Sequence, residues 1–186
     1  FETRGDKVLQ EIARETGREE HFHKAEVGVF FGAAGKETPD PYFDGKGPAR
    51  VGCTQCGACM TGCNVGAKNT LDRNYLYLAE KRGCVIRAET EVSRVVPQQQ
   101  GYCVETKESF GSGRGAITAD NVVFSGGVMG TVPLLLAMKE DALPNLSPAL
   151  GRMVRTNSEA LFAVVAPDSD EDFTRGVAIT SILHTD

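Results

Sequence analysis

Apolar residues recur at helical spacing over residues 6–18, where Val8, Leu9, Ile12 and Ala13 share one face and Glu and Arg fill the others. This spacing predicts a short amphipathic helix that stops near Gly17. From His21 the period shortens to two: Ala25, Val27, Val29 and Phe31 alternate with Lys24, Glu26, Gly28 and Phe30, the pattern of a strand ended by Gly32 and Gly35. Residues 36–50, containing TPDPYFDGKGP, form a loop held in extended and turn conformations by Pro and Gly. Helical spacing returns over residues 70–82, with Leu71, Tyr75, Leu78 and Ala79 inward and Gly83 as the stop. Short apolar runs at 85–88, 91–96 and 102–106, the last two joined by the polar tip PQQQG, predict a small antiparallel meander, with a further turn at 111–115.

The second half holds a different unit and no internal repeat. Residues 121–124 (NVVF) read as a wholly apolar strand core, followed by the turn SGGVMG and a helix over 131–139 with Pro133 in its first turn. Strand, glycine turn and helix is the order by which α/β folds bring backbone close to a nucleotide, although SGGVMG lacks the full G-x-G-x-x-G spacing and equally suits a tight packing turn. Residues 147–150 read as one turn capped by Ser147 with Gly151 as its exit. Residues 160–165 and 177–183 read as strands separated by the acidic loop DSDED, which lacks the Gly and terminal Glu of a calcium loop.

Composition narrows the classes of partner. The 186 residues include 41% hydrophobic and 24% charged side chains, enough to build a packed core. A net charge of -5 without any basic run excludes a phosphate-tracking surface, and with it nucleic acid. The longest apolar run, 128–138, contains Gly and Pro and is shorter than the roughly 20 residues a membrane-spanning helix needs. No signal peptide is visible, which favours the cytoplasm. The chain begins at Phe1 and stops just behind an apolar run, so it is expected to be a piece of a longer polypeptide whose remaining segments are its partners.

Four of the six cysteines, Cys53, Cys56, Cys59 and Cys63, fall at the spacing C-x2-C-x2-C-x3-C. Clustered thiolates select zinc or iron–sulfur, and this spacing matches the ferredoxin run except that Asn64 replaces the usual Pro and no second run follows. Three of the cysteines with Cys84 or Cys103 as a remote ligand, all four together, two zinc-binding pairs, four reduced thiols, or one local disulfide all remain open. His21 and His23, two apart, read as polar strand surface rather than as ligands.

Several segments resemble the FAD-dependent glucose–methanol–choline oxidoreductases, in particular their cholesterol-oxidase-like branch. They are TPDPYF (38–43), GAKNTLDRNYLYLAE (66–80), VIRAETEVSRVV (85–96), ADNVVFSGGVMGTVPLLL (119–136) and LPNLSPALGRMVRTNSEA (143–160). The resemblance implies a mixed α/β chain: part of a doubly wound FAD domain carrying an antiparallel meander, and part of an antiparallel-sheet substrate domain. Residues 1–51 would belong partly to the substrate domain, 52–70 form a cysteine-rich loop, 71–142 belong to the FAD domain, and 143–186 begin the substrate domain. Val92 would meet the adenine through its backbone, and Ser125, Gly126 and Gly127 would approach the ADP part of FAD. Asn157 would lie toward the flavin.

The family's N-terminal G-x-G-x-x-G segment and its C-terminal catalytic His are not in this sequence, and His184 is not in that context, so no catalytic residue is assigned. The implied activity is oxidation of an alcohol, sterol-like or otherwise bulky, by hydride transfer to flavin, with this chain inactive alone. A cluster at the cysteines would make it a dehydrogenase that passes electrons to an acceptor. The competing class is a small iron–sulfur or zinc module for electron transfer or structural stapling. That class leaves residues 119–136 without a role.

Overall fold

The structure is a computed structural model that describes residues 2–155, 157, 159–163, 165, 170 and 172–184. In chain order its elements are α1 (Arg4–Glu15), β1 (Phe22–Lys24), β2 (Glu37–Thr38), β3 (Arg50–Val51), α2 (Tyr75–Glu80), β4 (Thr90–Pro97), β5 (Tyr102–Glu108), β6 (Arg114–Ala119), α3 (Gly127–Lys139) and β7 (Ser181–Leu183). The chain is therefore of mixed α/β class. It divides into two units, Phe1–Val85 with Val165–Asp186, and Ile86–Val164. These boundaries differ from a division at 70 and 142: α2 belongs with the cysteine loop rather than with the meander. Among the described residues no helix is long and apolar enough to cross a membrane.

In the first unit, α1 starts two residues before the apolar period because Thr3 forms a capping box. Its hydroxyl accepts the Asp6 N–H (3.1 Å) while the Asp6 carboxylate accepts the Thr3 N–H (2.6 Å). Ala13 is fully buried, whereas Val8 and Ile12 of the same face stay partly exposed. β1 pairs antiparallel with β7, Phe22 opposite Leu183 and Lys24 opposite Ser181. The strand expected over 25–31 does not form. Its backbone is satisfied piecemeal, Ala25 N–H by the Thr180 carbonyl, Phe30 N–H by Ala67 and Phe30 C=O by Cys53 N–H, so no single neighbour supplies a ladder. Likewise only Ser181–Leu183 of 177–183 is strand.

The helix expected over 70–82 is broken. A single 3-10 turn, Leu71–Arg73, leads to Asn74 at φ -135, ψ -103, which interrupts the helix and whose side chain caps α2 by accepting the Tyr75 N–H. Because the break rotates the two pieces, Leu71 and Tyr75 end up exposed rather than inward. Gly83 does terminate the segment, at φ 91. Residues 85–88 carry no strand.

In the second unit, β4, β5 and β6 form an antiparallel sheet in that order, with Val95 opposite Val104 and Cys103 opposite Thr118. The meander is present, but its third strand is β6 rather than 85–88, and the turn expected at 111–115 gives way to strand from Arg114. Arg114–Ala119 (RGAITA) has only a weak apolar alternation, so pairing with β5 decides its state. A bulge sits at Ser93, between Val92 and Arg94. Just beyond it Val95 turns its N–H to the Met138 Sδ of α3 (3.0 Å), and both residues are buried.

Residues 121–124 form no strand among the described residues and instead lead directly into α3. That helix begins at Gly127, four residues early, so Pro133 sits inside it and not in its first turn. The 147–150 turn is present, with Leu150 N–H donating to the Ser147 carbonyl and Ala149 N–H to the Ser147 hydroxyl. Residues 160–163 are not strand; Val164 and most of the acidic loop lie outside the described residues.

Candidate functional site

The second unit contains a cavity of about 530 Å³ between β4, the 122–126 segment and α3. Val92, Val95 and Val104 of the sheet, Val122 to Phe124, and Leu134 supply apolar walls, and Ser125, Gly126 and Thr131 supply polar groups at one end. Its size falls within the range of small-molecule sites. Glu91 is at the rim, its carboxylate held by Lys107 at 3.1 Å.

The glycine turn owes its shape to two features. Gly127 has φ 67, a region that any side chain would strain. Gly126, the N-cap of α3, donates its N–H to the Thr131 hydroxyl at 3.0 Å. An apolar slot ending in a glycine turn and a helix start suits a flat aromatic ring with an anionic tail. Val92, Ser125 and Gly126 are thus brought to one cavity, with Gly127 next in the chain. Sequence reasoning missed Thr131, although a Thr five residues behind a Gly-Gly turn was a legible signal.

The cysteine loop is a separate place, in the first unit. Cys53, Cys56, Cys59 and Cys63 line one small cavity with Val29, Val65, Ala67 and Lys68. The space it leaves for the centre of a water-sized sphere is about 10 Å³, at the lower limit of what a single water needs. Cys53 Sγ accepts the Gln55 N–H at 3.3 Å and Cys63 Sγ the Lys68 N–H at 3.4 Å, while Lys68 Nζ donates to the Cys59 carbonyl at 2.7 Å. Burial acts to raise the Cys63 thiol, but the backbone N–H groups of Lys68, Ala67, Gly66 and Val65 outweigh it and hold the group below its usual value.

All six cysteines are free thiols, and no three His, Cys, Asp or Glu residues among the described residues stand where one metal ion could take them. The iron–sulfur and zinc readings of Cys53, Cys56, Cys59 and Cys63 are therefore not supported by this geometry: among the described residues only Cys53 and Cys63 have sulfurs that accept local backbone N–H groups, and the four thiols do not converge as one ligand set. Cys84 is exposed, and Cys103 lies in β5 of the other unit.

His23 stacks on His184, ring centroids 5.0 Å apart and 19° from parallel, an arrangement that does not converge ring nitrogens on one ion. His21 faces Glu20 at 3.7 Å. Asn157 is exposed.

A buried cation orders the first unit around this loop. Arg50 is fully buried; its Nη2 donates to Asn69 Oδ1 (2.8 Å) and to the Arg73 carbonyl, and its guanidinium lies 5.4 Å over the Tyr42 ring. Desolvation, and then the Arg73 charge, lower its affinity for the proton. The TPDPYF and GAKN segments are thereby tied to one side chain.

Residues 48–151 match the family described as GMC oxidoreductase. The chain belongs to the GMC oxidoreductase family. Within it, the chain is 43% identical over 194 residues to a cholesterol oxidase of Mycobacterium tuberculosis (strain CDC 1551 / Oshkosh), covering 98% of this chain and 34% of that protein. It is 42% identical over 195 residues to a cholesterol oxidase of Acinetobacter baumannii, covering 97% of this chain and 35% of that protein. It is 30% identical over 145 residues to the long-chain-alcohol oxidase FAO4B of Arabidopsis thaliana, covering 69% and 19%. The chain thus spans about a third of the length of the cholesterol oxidases it matches. No solved structure matches it.

Proposed function

We propose that this chain supplies the adenine- and ADP-binding part of an FAD-dependent oxidoreductase that oxidises a sterol or a similarly bulky alcohol. The observation that carries the reading is the cavity bounded by Val92, Ser125 and Gly126 in a chain of this family. Val92 and Val95 offer an apolar wall to a purine. Beside Ser125, Gly126 and Gly127 let an anionic tail approach the backbone without meeting a Cβ, and the Gly127 N–H heads α3 without an intrahelical acceptor. Bound there, FAD would supply the two-electron acceptor for the hydride leaving the hydroxyl-bearing carbon. This chain's share of the work is to bind and orient the cofactor; no residue in it is assigned as the base that takes the hydroxyl proton.

The sterol reading draws on the two cholesterol oxidases, and the wider class of bulky alcohols on the long-chain-alcohol oxidase. The test uses the purified full-length protein. Flavin absorption bands are expected, together with oxidation of a 3-hydroxysterol in preference to a straight long-chain alcohol. Oxygen and an artificial electron acceptor, supplied in parallel, distinguish oxidase from dehydrogenase. Absence of bound flavin would sink the proposal, and preference for the straight-chain alcohol would move the substrate class.

A further inference from the structure

We propose that Thr131 is a positioning residue for the diphosphate-bearing end of the cofactor, an inference that rests on the cofactor reading above. The turn it serves has little stiffness of its own. Gly126 and Gly127 are adjacent, and Gly127 adopts φ 67, so the unliganded backbone has many conformations to lose. Gly126 caps α3 without a side chain to do it, and the helix has no side-chain cap hydrogen bond.

Thr131 supplies the missing restraint from inside the helix. Its Oγ1 accepts the Gly126 N–H at 3.0 Å, the one side-chain hydrogen bond to this turn among the described residues. Thr131 lies two positions beyond the N3 site from which a capping-box side chain reaches back, and its hydroxyl serves the same N-cap N–H. With Gly126 N–H so engaged, the amides of Gly127, Val128 and Met129 are left at the helix start without an intrahelical acceptor.

A second feature points outward. A hydroxyl that accepts one hydrogen bond still has a proton to donate, and none of the described residues accepts it from Thr131. Thr131 is half-buried and lines the same cavity as Ser125 and Gly126. Its O–H is therefore placed to donate to an anionic oxygen lying over the turn. Thr131 thus does two things with one oxygen: it fixes the turn and it contributes a donor.

The experiment compares Thr131→Val, which keeps the shape and removes the hydroxyl, with Thr131→Ser, which keeps the hydroxyl. Both are made in the full-length protein, stripped of flavin and titrated with FAD and separately with ADP. Loss of one or two neutral hydrogen bonds predicts about tenfold weaker FAD binding for Val, an equal factor for ADP, and less than about twofold for Ser. Apoprotein melting temperatures within about 3 °C of the parent are expected, because the turn is at the surface.

Val binding FAD as tightly as the parent would overturn the role of Thr131. So would Ser failing like Val, or both variants losing affinity in step with melting temperature. A parent protein that binds no FAD at all would instead overturn the cofactor reading.

Discussion

Asp6 shows how one residue can hold chain ends together. It is 1% exposed, closes the α1 cap with Thr3, accepts from the Thr180 hydroxyl, and faces Lys24 at 3.4 Å. Burial raises its pKa, but hydrogen bonds from Ser181, Thr180 and Thr3 lower it further than burial raises it, so the folded carboxylate titrates well below the ordinary range. A depressed folded pKa contributes stability that is present above the unfolded value of about 4 and is lost as pH falls through the folded one. Asp6→Asn is expected to cost about 1–2 kcal/mol at neutral pH. The gap to the parent should close below about pH 4. Denaturant midpoints of the two proteins across pH would show this, and a gap that widens in acid would refute it.

Arg50 makes the complementary case. Its Nε and Nη1 are buried without a partner, so its worth lies in the Nη2 bonds and in packing on Tyr42. Arg50→Ala should cost about 2–4 kcal/mol through the cavity and the lost bonds. A loss under about 0.5 kcal/mol, typical of a surface site, would contradict that role.

At the scale of elements, the cysteine loop depends on a turn more than on its thiols. Gly57 has φ 74, donates its N–H to the Gly176 carbonyl at 3.0 Å, and a Cβ there would come to 1.8 Å from the Thr174 carbonyl oxygen. Gly57→Ala is therefore expected to lower stability by more than about 2 kcal/mol, since backbone must move on both sides. Cys56→Ser, at an exposed position, should change it by less than about 0.5 kcal/mol. Parallel unfolding measurements would decide between a loop held by its backbone and one held by sulfur. If the Ser variant were the more damaging, the backbone account would fail.

At the scale of the molecule, the prediction is a flavoprotein without a stoichiometric cluster. Full-length protein should release about one flavin per chain on denaturation. It should carry far less than about one iron, because a cluster needs converging thiolates and room for its own atoms. Iron and acid-labile sulfide near cluster stoichiometry would mean that the cysteine loop opens beyond the cavity described.

What the sequence determined by itself was local. Glycine and capping residues act over a few positions, so the 147–150 turn and the stop at Gly83 were readable, and so was α1 apart from its Thr3 start. The meander was readable from β4 and β5, where apolar alternation is strong. Family membership was readable too, because it rests on the order of segments and not on their geometry. The tertiary structure decided everything that depends on a distant partner.

Alternation over 25–31 had no single strand to pair with, and β6 became a strand only because β5 lay beside it. The break at Asn74 turned Leu71 and Tyr75 outward, and the early start of α3 placed Thr131 under the Gly126 amide. The cysteine spacing made a metal site conceivable, but whether four sulfurs converge is a matter of loop backbone. Here that backbone gives N–H groups to two of the sulfurs, Cys53 and Cys63.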